Sequence, residues 1–313
     1  GGGNRWRSGV MLSGLFSILL GISLVIAANW HAIPASLKLL VHVALNAGAA
    51  YAVWRLSVDH TKKIWAEGAM LLHMGLTLTL IALIGQIYQL QGSVEGAMRL
   101  WLVLVTPTIL VFGRAAYTAR LWALAAVVIG VGWLGEALEY FDERTTQNIM
   151  LCFAILAPLL IVHGIRRAVA AGAPAVPLRC LQEAIAVLIV LGVSFGTAFW
   201  FWNSGHDGMN TQWLVGLAGG ALPLCAFYAW LRYKGVVNGM DHVLLISGLF
   251  IAIGVAPLPA SDVLSAVMFI VYWLFLGAVF QELGWASAVS ASIVVITIRL
   301  YALFIQLFGS LMM

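Results

Sequence analysis

The sequence predicts an all-α polytopic transmembrane helix bundle of about eleven spans with its N-terminus in the cytoplasm. Three observations carry that reading. The 313 residues are 63% hydrophobic and only 9% charged, against roughly 25% charged residues in a soluble domain. The apolar residues come in runs about twenty long, the length at which a helix satisfies its own backbone polar groups across lipid that offers no partner. Finally, basic residues collect between alternate runs, as they do on the cytoplasmic side of a membrane.

Taken in order, the runs cover residues 9–28, 36–56, 65–84, 100–113, 119–138, 148–163, 181–202, 213–231, 242–256, 262–281 and 285–308. The whole chain, 1–313, reads as a single transmembrane domain. Gly1-Gly2-Gly3 lacks an initiator Met and the chain stops inside an apolar stretch, so both ends are expected to be trimmed. Arg5 and Arg7 precede a run with no small-residue cleavage site, which marks it as a retained span.

One side of the membrane receives Arg5, Arg7, Arg55, Lys62, Lys63, Arg114, Arg120, Arg166, Arg167, Arg179, Arg232 and Lys234, whereas the other receives Lys38, Arg99 and Arg144. Twelve against three sets the N-terminus inside. The same placement makes the basic residues topology markers rather than a nucleic-acid surface, so no nucleic-acid partner is expected. The bundle fits a bacterial inner membrane. Cys152, Cys180 and Cys225 are isolated and support neither a disulfide framework nor a zinc motif. A Gly-rich phosphate loop, a nucleophile elbow and a His-Glu-x-x-His motif are all missing from the sequence. No cofactor is indicated.

Three runs look irregular, through Pro107, Pro158 and Pro257-Leu258-Pro259, and broken spans are where transporters free backbone groups for substrate. Ala44, Gly48 and Ala52, and likewise Gly216 and Gly220, form ridges of small residues suited to close helix packing.

Two polar stretches, 26–38 and 85–92, interrupt the apolar pattern and fall on the same, outer surface. The first carries Asn29, Trp30 and Lys38; the second carries Gln86, Tyr88 and Gln89. Each also has a structural role available, Trp30 as an interfacial anchor and Pro34 with Ser36 as a helix start. This pattern, Ala27-Ala28-Asn29-Trp30, Ile33-Pro34, Lys38, then Gly85-Gln86-Ile87-Tyr88-Gln89 and Leu100-Trp101, resembles the bacterial membrane-protein family called domain of unknown function 2157 over about residues 9–115. The resemblance implies a multi-span fold and lifts the polar residues above their neighbours, but it implies no activity.

Along the third run, His73, Thr77 and Tyr88 fall on one helical face and predict a polar track from mid-membrane outward. Glu136, Glu139 and Glu143 at i, i+3 and i+7 predict an acidic outer face suited to a cation. Trp200, Trp202, Asn203, His206 and Asp207 form an outer aromatic cluster, and Glu67, Glu183 and Glu282 read as solvated helix ends. Arg299 stands in the middle of the last run, where an unpaired Arg costs at least about 2.5 kcal/mol, so it needs a carboxylate, a wet cavity or an anion.

Together these residues favour transport or handling of a lipid or small polar substrate through an outward-facing site. The competing readings are a membrane enzyme acting on a lipid-linked substrate, and a scaffold or sensor subunit with a protein partner or a second copy. Membrane lipids are partners in every case.

Overall fold

The computed structural model describes residues 34–58, 60–113, 116–200, 213–256 and 261–309, with 10, 11, 13, 14, 17, 18, 20 and 21 of the first run. Asn29, Trp30, Trp202, Asn203, His206 and Asp207 lie outside the described residues. Among the described residues every regular element is helical: α1 (Ala35–Val58), α2 (Lys63–Ile87), α3 (Val94–Phe112), α4 (Ala116–Leu138), α5 (Glu143–Ala170), α6 (Ala175–Phe195), α7 (Leu222–Tyr233), α8 (Gly239–Gly254), α9 (Asp262–Glu282) and α10 (Ala286–Gly309). Nine described helices are long and apolar enough to cross a membrane, counting α7 from Trp213; α8 is apolar but has only 16 residues.

Several elements depart from the sequence reading, each for a local reason. The run at 100–113 is not short: the Ser93 hydroxyl accepts the N–H of Gly96 at 3.0 Å, and this cap starts a 19-residue helix at Val94. Neither Pro107 nor Pro158 breaks its helix, since α3 and α5 run through them. Among the described residues, π-helical turns stand at Gly196–Trp200 after α6 and Gly216–Ala221 before α7, and Pro257-Leu258-Pro259 lies outside the described residues. Helix α4 stops at Leu138, whose carbonyl accepts the Thr146 hydroxyl at 2.8 Å, and Glu143 begins α5. Glu136, Glu139 and Glu143 therefore do not share one helical face.

The chain divides into two compact units, residues 1–133 with 169–181, and residues 134–168 with 182–313. In lipid the apolar surfaces gain little by associating, so helices are held by close packing and by polar ties. The N-terminal unit packs α2 against α1 and α3 around Val53, Met70, Met74, Trp101, Val105 and Ile109. The indole N–H of Trp101 donates to the Met74 carbonyl at 2.8 Å, fixing α3 to α2, and that of Trp122 donates to Thr106 Oγ1 at 2.9 Å, fixing α4 to α3. Glu67 is not a solvated end: its carboxylate accepts the N–H groups of Tyr117 and Thr118 at 2.5 and 3.2 Å and closes the start of α4.

In the C-terminal unit, Ile155, Leu159, Leu224 and Leu244 form one core, and Phe250, Tyr272 and Leu276 another. Gly216 and Gly220 meet Leu151 and Ile155 of α5, as the small-residue ridge predicts. Gly48, by contrast, has nothing within 4 Å among the described residues. Arg166 and Asp241 form a two-pronged ion pair between α5 and α8, with Asp241 fully buried and also accepting the Asn238 N–H at 2.9 Å.

Candidate functional site

The N-terminal unit gathers polar side chains inside its apolar helices. Lys38, His42 and Asn46 stand at i, i+4 and i+8 on one face of α1, and His73 and Thr77 stand one turn apart on α2. The helices run antiparallel, so Asn46 faces His73 and Thr77 while His42 faces Leu76 and Thr79. Thr108 of α3 reaches the other side of the His73 ring.

The distances assign one donor scheme. His73 Nδ1 lies 2.8 Å from Asn46 Oδ1, an oxygen that only accepts, so Nδ1 carries the proton. His73 Nε2 is then the acceptor for the Thr108 hydroxyl at 3.4 Å. The Thr77 hydroxyl donates to the His73 carbonyl at 2.8 Å and accepts from Asn46 Nδ2 at 3.3 Å. A neutral imidazole is thus hydrogen-bonded at both nitrogens between three helices. A buried polar group without such partners costs on the order of 1–3 kcal/mol in proteins, so this closure is what lets the cluster exist in an apolar bundle. One turn along α1, His42 Nε2 lies 3.0 Å from both the Leu76 carbonyl and Thr79 Oγ1.

The sequence-predicted track is partly assembled. His73 and Thr77 come together, and Tyr88 does not join them: it ends α2 and is 62% exposed. Gln86 and Gln89 are exposed beside it, and Gln89 adopts a left-handed backbone, φ 50°. The antiparallel register carries half-buried Lys38 toward the last turns of α2, the end that holds Gln86. Sequence reasoning missed His42, Asn46 and Thr108. The signal for the first two was present, since with Lys38 they recur every four residues through an otherwise apolar run.

In the C-terminal unit, Glu136 is half-buried and Glu139 exposed at the end of α4, and Arg299 is half-buried on α10. Among the described residues no three His, Cys, Asp or Glu side chains come together as metal ligands.

The cluster lies wholly within residues that have recognisable relatives. The family described as predicted membrane protein (DUF2157) matches residues 3–118. That match takes in α1, α2, α3 and the first residues of α4, so all of Lys38, His42, Asn46, His73, Thr77, Gln86, Tyr88, Gln89 and Thr108 lie within the matched residues. The comparisons with curated proteins and with solved structures found no match.

Proposed function

We propose that this integral membrane protein binds and passes a small polar or lipid substrate at a polar site within the residues matched by the DUF2157 family. The chain is read as a bacterial inner-membrane protein of eleven spans with its N-terminus inside, and the site opens outward. The observation that carries the reading is the His73 ring, bridged to Asn46 on α1 and Thr108 on α3 in the apolar middle of the unit. Ionisable residues at that depth are costly and are kept where they meet a substrate or a proton. Both ring nitrogens are committed to neutral partners, so a substrate hydroxyl or amide N–H can take the place of Thr108 at Nε2 and keep the ring paired. Lys38 on the same α1 face, with Gln86, Tyr88 and Gln89 at the end of α2, forms the outer mouth.

The test is untargeted mass spectrometry of lipids and small molecules that co-purify with the full chain and with Asn46→Leu and Thr108→Val variants. At least one compound is expected to be enriched with the wild type and depleted in both variants. Identical profiles from folded variants would remove the site.

A further inference from the structure

The C-terminal unit contains a second polar constellation, around Arg299. Its guanidinium donates from Nη2 to Ser265 Oγ of α9 at 3.2 Å. Ser265 in turn donates to the carbonyls of Thr197 and Ala198 in the π-helical turn after α6, at 3.0 and 3.1 Å, so its lone pairs are left facing the arginine. Ser265 is fully buried. The arginine is therefore tied to α9, and through Ser265 to the π-helical turn, yet Arg299 Nε is buried without a hydrogen-bond partner, and no described carboxylate pairs with this side chain. Trp273 Nε1 and Gln306 Oε1, on the same two helices, are also buried and unpartnered. Buried polar atoms are nearly always paired, so the open Nε–H beside the Ser265 tie argues against dry packing there; Trp273 and Gln306 stand about two turns away along their own helices.

We propose that Arg299 is an oxyanion-binding residue, taking a phosphate or carboxylate group between α9 and α10. A guanidinium stays charged at any physiological pH and presents several donors in a fixed fork that matches such oxygens. One of the guanidinium's five N–H donors is spent on Ser265, so four remain, and the ligand's charge offsets that of the arginine. The anion is either a soluble ion or solute, or the headgroup of an anionic lipid entering from the side. This site belongs to the C-terminal unit and the His73 cluster to the N-terminal unit, and neither proposal rests on the other.

The experiment follows thermal unfolding of the full chain in phosphatidylcholine nanodiscs by tryptophan fluorescence. One arm titrates inorganic phosphate, and the other replaces part of the lipid with phosphatidylglycerol. The unfolding midpoint is expected to rise in at least one arm, phosphate identifying a soluble anion and phosphatidylglycerol a lipid. The rise is expected to vanish in Arg299→Gln, to be reduced in Arg299→Lys, and to persist in Arg179→Gln, where the lost charge is an exposed one. Ser265→Ala keeps the charge but releases the guanidinium, and is expected to weaken the response several-fold; it also serves if Arg299→Gln does not fold. No rise in either arm, or an equal rise in Arg299→Gln or Ser265→Ala, overturns the proposal.

Discussion

Gln89 shows how a residue singled out as a candidate ligand can owe its place to backbone geometry. Helix α2 ends at Ile87, the Leu90 N–H returns to the Gly85 carbonyl at 3.0 Å, and the residue between must turn left-handed, which Gln89 does. That conformation costs an L-residue about 1–2 kcal/mol and glycine almost nothing. Gln89→Gly is therefore expected to stabilise the protein by about 1 kcal/mol, read from its denaturant midpoint in detergent; a loss of stability would show that the side chain holds the outer mouth. Asn46 carries the opposite expectation. Asn46→Leu strands His73 Nδ1–H and is expected to cost about 1–3 kcal/mol. It is also expected to release the Nδ1–H tautomer, visible in the ¹⁵N shifts of the ring. Asp142 offers a pH test outside the membrane helices. The Thr145 hydroxyl, then its N–H, hold the carboxyl below its ordinary range. A depressed carboxylate stabilises the folded state above its unfolded pKa of about 4 and loses that contribution as pH falls through the lower folded value. The stability gap between wild type and Thr145→Val is thus expected to be full at neutral pH and to close in acid.

At the scale of elements, the helical glycines separate into two kinds that sequence alone does not distinguish. A Cβ at Gly248 would lie 2.5 Å from Leu224 Cδ2 and 3.0 Å from the Ile155 carbonyl, whereas one at Gly48 would meet nothing described within 4 Å. Gly248→Ala is expected to lower stability by about 1–3 kcal/mol through overpacking, and Gly48→Ala to leave it unchanged or slightly raised by helix propensity. Thermal unfolding of the pair in parallel decides it. The same contrast explains what was legible. Helices were readable because lipid forces long apolar runs, but their ends were not: the Ser93 cap lies seven residues before the run read at 100, and the break between Leu138 and Glu143 was read as continuous helix. The π-helical turns were not legible either, because Gly216, Gly219 and Gly220 read equally well as ordinary close packing. The His73 cluster was half legible: His73 and Thr77 lie on one helix and share a period, while Asn46 and Thr108 reach them only through tertiary register. Glu67 was read as a solvated helix end and Arg166 as a topology marker, because nothing local shows that Glu67 caps a helix fifty residues away or that Arg166 meets Asp241 across 75.

For the molecule as a whole, the path of the chain turns on α8. Its 16 residues rise about 24 Å, short of a hydrocarbon core of about 30 Å. A helix of that length either crosses a locally thinned bilayer or dips in and returns, and the two cases give α9 and α10 opposite directions. The packing inside the C-terminal unit favours crossing. Gly239 at the start of α8 lies against Leu283 at the end of α9, and Ser247 bonds the Tyr272 hydroxyl at 2.8 Å, so α8 runs antiparallel to a 21-residue helix over its length. A mismatch of a few ångström costs only fractions of a kcal/mol per ångström, less than burying Asp241 beside Arg166 would lose if α8 were drawn out of register. Arg166 is thus an imperfect topology marker, but without it the basic residues still divide eleven to three. With Cys152, Cys180 and Cys225 replaced, single cysteines at Gln91 and Tyr140 are expected to react with a membrane-impermeant maleimide from outside. Cysteines at Ala171, Lys234 and Glu282 are expected to react only after permeabilisation. Outside labelling at Glu282 with inside labelling at Lys234 would make α8 re-entrant and leave ten spans, and reversal of all five positions would place the N-terminus outside.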